Sequence, residues 1–284
     1  MSMPYLDATT IRALARELDL HPSKGRGQNF LLDANWVRKI VATAGVGAGD
    51  HVLEVGPGLG SLTVGLLHAG AAVTAVEIEP SLATRLPATM AELAPGAADR
   101  LTVLARDALT LGPGDVAAPT ALVANLPYNI AVPVILHCLA TYPSLARGLV
   151  MVQREVADRL AATPGSKAYG VPSVKLAWYA AATRAGTVPA AVFWPQPQIE
   201  SGLVAFTGHE PPPGDRLPVF SLVDLAFSQR RKMLRAILTP AYGPGALDAL
   251  AAAGVAPTAR GETLTVHDFA RLSGALEDHM VTAV

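Results

Sequence analysis

The sequence predicts an α/β protein with a doubly wound, mostly parallel sheet, followed by a small all-helical region. Three observations predict this. Short β-branched apolar runs alternate with helical patterns between residues 36 and 206, and these runs are apolar enough to be buried on both faces. Only helical patterns follow the proline-rich stretch at 208–218, which has the composition of a stiff linker. We therefore expect a first domain over residues 1–208 and a helical second domain over 209–284.

The individual elements follow from residue spacing. Short β-branched runs, most of them bounded by Gly, Asp or Asn, predict strands at 51–56, 71–79, 101–107, 121–125, 148–153 and 202–207. Apolar spacings of three and four predict helices at 61–70, 80–94, 132–142, 219–238, 245–254 and 265–279. Thr265 is the expected N-cap of the last helix. The N-terminal stretch "MSMPYLDATTIRALARELDL" has the pattern of an amphipathic helix.

Composition narrows the class of protein. Hydrophobic residues make up 51% and charged residues 16% of the 284 residues, which argues against extensive disorder. The sequence contains neither a signal-peptide core nor an apolar run of about 18 residues, so we expect a cytoplasmic protein without a membrane span. The single cysteine, Cys138, excludes an internal disulfide or a cysteine-cluster zinc site, and its apolar neighbours predict a buried thiol.

A glycine-rich turn follows the first predicted sheet strand. The segment "LEVGPGLGSL" places Gly56, Gly58 and Gly60 where a ligand can approach the backbone at the start of a helix. Ser61 stands where the dinucleotide motif requires Gly or Ala. Together with Glu54 the loop reads E-x-G-x-G-x-G, which resembles the motif of Rossmann-like class I methyltransferases that bind S-adenosylmethionine.

Acidic residues end the next two strands. Glu77 can accept hydrogen bonds from both ribose hydroxyls of a nucleoside, whereas Glu79 is expected to be exposed. Asp107 reaches the same edge of the sheet and can accept a hydrogen bond from an adenine amino group. Each acid alone is more often an ordinary strand-end residue, but the succession favours a nucleoside site. An NAD-dependent dehydrogenase would explain the loop and Glu77, but not the end of the fourth strand.

That fourth strand ends in "NLPYNI". The side-chain oxygen of Asn125 and the main-chain carbonyl of Leu126 can grip the N–H bonds of an exocyclic amino group and steer its lone pair toward an electrophile. Pro127 restricts Leu126 to extended geometry, and Tyr128 can stack on a base swung out of its helix. No general base is needed before attack, because alignment with the methyl donor does most of the work. The alternative is an ordinary Asn-Pro turn in which Tyr128 only packs.

Seven segments, in this order along the chain, resemble the KsgA/RsmA family of small-subunit rRNA adenine N6,N6-dimethyltransferases: "GQNFLLD", "LEVGPGLGSLT", "VEIE", "NLPYNI", "MVQREVADRLAATPGSKAYG", "FWPQPQIES" and "RRKMLRAIL". The resemblance implies dimethylation of two adjacent adenosines in the 3′-terminal hairpin loop of 16S rRNA, coupled to maturation of the 30S subunit. It implies S-adenosyl-L-methionine as the cofactor, no metal and a monomeric enzyme.

The resemblance also implies roles for single residues. Asn29 and Leu31 would enclose the methionine end of the cofactor, with Gly56 against it and Asn125 beside the methyl donor. Phe193 would face Tyr128 across the target adenine, although composition alone predicts a core aromatic. Arg26 stands where the family usually has an aromatic residue, which leaves the detail of this N-terminal loop open.

Two clusters of basic residues are candidates for RNA binding. One is Lys24 with Arg26, and the other consists of Arg230, Arg231, Lys232 and Arg235. The net charge of −1 allows such local patches, although either cluster is equally well explained as a solvated face. If they bind phosphates, affinity should fall steeply with salt.

Three other functions remain open. An Erm-type enzyme that methylates a large-subunit rRNA adenosine shares the glycine loop and the Asn-Pro-aromatic motif. A DNA adenine methyltransferase is disfavoured because the chain lacks a sizeable base-reading domain. A ribosome-assembly factor that acts mainly by binding is disfavoured by the intact "NLPY" motif.

Overall fold

A computed structural model describes residues 4–20, 29–127 and 129–282 of the chain. No helix in these ranges is long and apolar enough to cross a membrane. Across the same ranges, no group of three or more His, Cys, Asp or Glu side chains is placed to hold a metal ion.

The chain divides into two compact units. The first comprises Met1–Ala157 and Thr183–Gly208, and the second comprises Asp158–Ala182 and His209–Val284. The first unit ends at the residue where the sequence places its boundary, but the second unit also takes in the segment 158–182. The assignment of two independent domains stays a prediction.

All six predicted strands are present, and their ends differ from the predicted ends by at most two residues. The strands are β1 (Phe30–Leu31), β2 (His51–Val55), β3 (Ala72–Glu77), β4 (Leu101–Ala105), β5 (Ala121–Asn125), β6 (Arg147–Gln153), β7 (Ala180–Val188), β8 (Phe193–Trp194) and β9 (Ser201–Gly208). Strands β1, β7 and β8 are not predicted from the sequence, because β1 and β8 are only two residues long and β7 is rich in Ala.

Seven of these strands form one sheet in the order β4-β3-β2-β5-β6-β9-β7. Neighbours from β4 to β6 are parallel, and β9 pairs antiparallel with β6. The predicted doubly wound α/β fold is therefore confirmed. The chain leaves β2 toward β3 on one side, whereas β5 lies on the other, so the strand order reverses between β2 and β5. Open α/β sheets bind ligands at the carboxyl ends of the strands at such a reversal.

Six helices form in the described residues up to Leu160, and the second, third and fourth of them contact strands of this sheet. They are α1 (Ala8–Glu17), α2 (Ala34–Ala44), α3 (Ser61–His68), α4 (Pro80–Leu93), α5 (Ala131–Thr141) and α6 (Arg154–Leu160). The predicted amphipathic N-terminal helix is confirmed as α1: Asp7 accepts a hydrogen bond from the backbone N–H of Thr10, and Ile11 and Leu14 are buried.

A hydrophobic core lies between the sheet and these helices. Val64 and Leu66 of α3 pack with Ile40 of α2 and Val73 of β3 in one buried cluster. Cys138 is fully buried in α5, as the sequence predicts, and burial raises the pKa of its thiol to about 12. The thiol is therefore protonated and unreactive at neutral pH.

Helices of the second unit enclose a separate core around Phe269 and Leu250. They are α7 (Val171–Ala177), α8 (Arg216–Ser228), α9 (Leu234–Tyr242), α10 (Ala246–Ala252) and α11 (Val266–Thr282). The hydroxyl of Thr265 accepts a hydrogen bond from the backbone N–H of Asp268 at 3.2 Å, while the carboxylate of Asp268 accepts one from the N–H of Thr265 at 2.8 Å. This reciprocal pair confirms Thr265 as the N-cap of α11.

The single helix predicted over 219–238 is wrong, because a turn at residues 229–233 separates α8 from α9. Arg230 holds the turn: its Nε lies 2.7 Å from the Glu262 carboxylate, and its Nη2 donates to the Lys167 carbonyl at 2.8 Å. The N–H of Leu234 then donates to the Ala259 carbonyl instead of continuing the first helix. The predicted linker is also shorter than expected, because α8 already begins at Arg216.

Candidate active site

The glycine loop begins directly after β2 and ends at the first residue of α3. Its three glycines have positive φ angles of 70°, 58° and 96°, which L side chains rarely adopt. A Cβ added to Gly58 would lie 2.9 Å from Cε1 of Phe30, so a larger residue would also require the Phe30 ring to shift. The sequence prediction of a tight glycine turn at the end of the first sheet strand is confirmed.

Glu77, at the end of β3, binds this loop. One oxygen of its buried carboxylate accepts a hydrogen bond from the Gly58 N–H at 3.0 Å, and the other accepts one from the Glu79 N–H at 3.0 Å. Burial raises the pKa of Glu77, while these backbone N–H groups oppose that shift. Glu79 itself is half-buried rather than exposed as predicted, because its side chain lines the same cavity.

Glu54 lies below the loop within β2 and is only 1% exposed. Its Oε2 atom has no hydrogen-bond partner among the residues that the structure describes. Burial raises the pKa of this carboxyl to about 8, and the nearby charge of Glu77 adds to the increase. Glu54 therefore carries a proton at neutral pH. In the sequence Glu54 is recognisable only as part of a motif, and nothing there predicts a buried acid that faces the cavity with one oxygen lacking a hydrogen-bond partner.

The segment after β5 is fixed by two main-chain carbonyls. The side-chain Nδ2 of Asn125 donates to the Asn29 carbonyl at 3.0 Å, and the backbone N–H of Leu126 donates to the Met151 carbonyl at 3.0 Å. Leu126 is buried, so its side chain anchors the turn in the core. Pro127 lines the cavity, whereas Tyr128 lies outside the described residues.

All of these features surround one cavity of about 520 Å³ at the carboxyl edge of the sheet. The cavity is lined by every residue predicted to bind the cofactor: Asn29, Leu31, Gly56, Gly58, Glu77, Asp107 and Asn125. The carboxylate of Asp107 accepts a hydrogen bond from the Leu109 N–H at 2.9 Å and is half-buried. Residues at or just after the ends of β2, β3, β4 and β5 thus converge, as expected for strand ends at a reversal of strand order.

The cavity is also lined by residues that are not predicted from the sequence. Ile78 is 66% exposed although it is aliphatic, and it lines the cavity beside Glu77. Arg106, Leu82 and Met151 line it as well. The available signal for Ile78 was an apolar residue directly after an acid that is predicted to bind a ligand at a strand end. No comparable pattern identifies the other three residues.

Phe193 is buried to 3% exposure in the core of the first unit, and it pairs with Leu31 between β1 and β8. Its surroundings are therefore those of a core aromatic residue, which is what composition alone predicts. Its neighbour Trp194 stacks on Phe30, with ring centroids 6.1 Å apart. The role of Phe193 opposite Tyr128 stays a prediction, because Tyr128 is outside the described residues.

The structure describes only one of the two predicted basic clusters. Lys24 and Arg26 lie outside the described residues. Arg231, Lys232 and Arg235 are exposed around the turn between α8 and α9. Arg230 is already engaged by Glu262 and by main-chain carbonyls, so its first role is structural, and its place in the RNA-binding set stays a prediction.

Comparison with known proteins identifies the family. The family model described as ribosomal RNA adenine dimethylase matches residues 23–278. The chain belongs to the ribosomal RNA adenine dimethylase family. It is 56% identical over 280 residues to a Cutibacterium acnes protein named ribosomal RNA small subunit methyltransferase A, a match that covers 95% of this chain and 94% of the relative.

Two solved structures share the fold of this dimethylase-family chain. A dimethyladenosine transferase from Plasmodium falciparum superposes with a TM-score of 0.73 at 22% identity, over 88% of this chain and 98% of that chain. The 23S rRNA methyltransferase ErmE superposes with a TM-score of 0.65 at 26% identity, over 88% of this chain and 100% of that chain. The predicted class I methyltransferase fold and family are thereby confirmed.

The raised pKa of Glu54 makes stability depend on pH. Between about pH 4.5 and about pH 8 the carboxyl is protonated in the folded state but ionised in the unfolded state, so the free energy of unfolding falls as the pH rises. Glu54→Gln removes this contribution. We expect the melting temperature of the variant, relative to the wild type, to rise between about pH 5 and about pH 8.

The control for this measurement is Glu210→Gln, which makes the same chemical change at an exposed position. Its melting temperature should follow that of the wild type at every pH. Parallel curves for wild type and Glu54→Gln would show that Glu54 titrates normally and is not a buried neutral acid.

Proposed function

We propose that this chain transfers methyl groups from S-adenosyl-L-methionine to N6 of two adjacent adenosines in the 3′-terminal hairpin loop of 16S rRNA, dimethylating each. The observation that carries the proposal is the fixed position of Asn125. Its amide is tied to the Asn29 carbonyl at the edge of the cavity that also holds Glu77 and Asp107. Membership in the adenine dimethylase family supports the choice of an adenosine substrate.

The residues around the cavity fit S-adenosylmethionine. Glu77 presents a buried carboxylate suited to ribose hydroxyls, and Asp107 presents one suited to the adenine amino group. Asn29, Leu31 and the glycine loop would hold the methionine end, close to the unpartnered oxygen of Glu54. When bound there, the cofactor supplies an electrophilic methyl group on a sulfonium ion.

Asn125 and Leu126 would bind the target amino group. The lone pair of an adenine N6 is delocalised into the ring, so the nitrogen is a poor nucleophile until its N–H bonds are held out of the ring plane. The Asn125 side-chain oxygen and the Leu126 carbonyl can accept those two N–H bonds. The hydrogen bond from Leu126 N–H to Met151 and the restriction imposed by Pro127 keep that carbonyl fixed. Tyr128 and Phe193 would hold the base ring.

Exposed cations of the second unit would bind the rRNA. Arg231, Lys232 and Arg235 make no ion pair or side-chain hydrogen bond within the described ranges, so their charges are available to phosphates. Lys24 and Arg26 would add to the contact from the first part of the chain. Such a surface suits a structured particle, and we propose the 30S subunit, in a late stage of its maturation, as the substrate.

The decisive experiment offers purified 30S subunits and 23S rRNA to the protein with labelled S-adenosylmethionine. We expect label in 16S rRNA, with mass spectrometry showing two adjacent dimethyladenosines near its 3′ end. Labelling confined to 23S rRNA would instead assign the activity of ErmE, with which this chain shares its fold. The 56% identity to a small-subunit methyltransferase makes that outcome the less favoured one.

Asn125→Ala separates chemistry from binding in the same assay. Loss of the amide should lower the methylation rate by about a hundredfold or more, because the amino group is no longer aligned. Affinity for the 30S subunit should change little, since that contact lies elsewhere. Asn35→Ala, at an exposed position of α2, is the matched control and should keep full activity.

If Asn125 served mainly in binding, Asn125→Ala would weaken the affinity for the 30S subunit. If the variant lost affinity for the 30S subunit as completely as it lost activity, the assignment of Asn125 to the methylation step would be wrong.

The double variant Arg231→Gln, Lys232→Gln tests the RNA surface. We expect weaker binding to the 30S subunit and a salt dependence whose slope falls by about two, since two phosphate contacts are lost. Cofactor affinity should be unchanged. Arg230→Gln is the contrasting variant: it should lower the melting temperature, because it breaks the contact with Glu262. Unchanged binding of the 30S subunit by the double variant would refute the assigned surface, whereas equal loss of cofactor and particle binding would indicate misfolding.

A further inference from the structure

The Arg106 side chain bridges the segment that follows β4 through contacts with two of its residues, Thr110 and Asp115. Arg106 lines the cavity next to Asp107, and its guanidinium turns back over the residues that follow. Its Nε donates to the Thr110 hydroxyl at 3.2 Å and its Nη2 donates to the Thr110 carbonyl at 3.2 Å. Its Nη1 lies 2.6 Å from the carboxylate of Asp115. The three contacts join both ends and the middle of the segment 106–115.

Asp115 is built to receive this arginine. Its second carboxylate oxygen accepts a hydrogen bond from the Gly112 N–H at 2.6 Å. That hydrogen bond and the charge of Arg106 lower the pKa of Asp115, so the carboxylate remains ionised at neutral pH. The pair is therefore a charge-assisted contact in a defined geometry, rather than two long side chains that meet occasionally.

The side chains of His137 and Tyr142 fix the far half of the segment, while the hydrogen bond from the Arg106 N–H to the Glu77 carbonyl at 2.9 Å holds its first residue. The ring of His137 lies 2.9 Å from the Leu111 carbonyl, and the hydroxyl of Tyr142 donates to the Gly112 carbonyl at 2.9 Å. The near half contains Asp107 and is held through Thr110, whose N–H and hydroxyl donate to the Asp107 carbonyl at 3.0 and 2.8 Å. The Arg106 side chain in turn donates two hydrogen bonds to Thr110.

The carboxylate of Asp107 is oriented within this half of the segment. One of its oxygens accepts the hydrogen bond from the Leu109 N–H, so the other oxygen is the acceptor left for a ligand. Its direction depends on the turn that Arg106 and Thr110 stabilise. A carboxylate that recognises a single amino group discriminates well only if its position is fixed before the ligand binds.

We propose that Arg106, with Asp115, is a positioning residue for the adenine subsite: it holds Asp107 so that the carboxylate selects the 6-amino group of the methyl donor. This inference rests on the proposed function, because it assumes that the nucleoside in the cavity is that of S-adenosylmethionine. Arg106 does not itself take part in methyl transfer.

The test measures binding of S-adenosylhomocysteine and of S-inosylhomocysteine, which carries an oxygen in place of the 6-amino group. The wild type should prefer the adenosyl compound by about tenfold or more, the effect of one charged hydrogen bond. Arg106→Gln should weaken adenosyl binding by about three- to tenfold and shrink the preference by a similar factor. Asp107→Ala should abolish the preference, and Arg106→Lys should fall between wild type and Arg106→Gln.

The matched control is Arg147→Gln, which removes an Arg–Asp pair of similar length at the amino edge of the same sheet. It should lower stability without changing the preference between the two compounds. In methylation assays Arg106→Gln should raise the KM for S-adenosylmethionine while kcat at saturation stays within about twofold, because the contacts that align the amino group are untouched.

Two results would overturn the proposal in distinguishable ways. If the wild type binds S-adenosylhomocysteine normally and Arg106→Gln keeps the full preference, Arg106 does not position Asp107, although the proposed function stands. If the wild type binds neither compound, the proposed function fails and the present inference fails with it.

Discussion

The carboxylate of Glu77 connects the end of β3 to the glycine loop after β2, and the rest of the site depends on this connection. Its hydrogen bond to the Gly58 N–H fixes the loop from below, while Phe30 packs against the loop from the side. A buried acid is costly unless its oxygens are satisfied, and here two backbone N–H groups satisfy them. Both carboxylate oxygens could accept further hydrogen bonds from the hydroxyl groups of a ligand.

The corner after β5 is fixed by a second set of contacts, which come from different parts of the chain. Asn125 is tied to Asn29, and Leu126 to Met151 on the neighbouring strand. These hydrogen bonds involve main-chain carbonyls, so they hold the corner whatever side chains surround it. A reaction that relies on alignment rather than on proton abstraction needs this rigidity more than it needs a titratable group. The one strongly shifted acid of the cavity, Glu54, lies beneath the glycine loop in β2.

The sequence could predict those parts of the site that lie at the carboxyl ends of the sheet strands. Parallel strands bring their carboxyl ends to one edge, so Gly58, Glu77, Asp107 and Asn125 could be placed together from the strand pattern alone. Helix boundaries were harder: the turn at 229–233 depends on Arg230 reaching Glu262 and Lys167, and such distant partners leave no periodic signal. Arg106 could not be predicted for a different reason: its partners Thr110 and Asp115 are close along the chain but form no motif with it.

If the glycine loop, Glu77, Asp107 and Asn125 form one nucleoside site, a crystal structure of the complex with S-adenosylhomocysteine will show it. We expect the ribose hydroxyls on Glu77, the adenine amino group on Asp107, and the sulfur atom beside Asn125. A ligand bound away from this cavity, or bound in it with the sulfur distant from Asn125, would show that these residues do not form such a site.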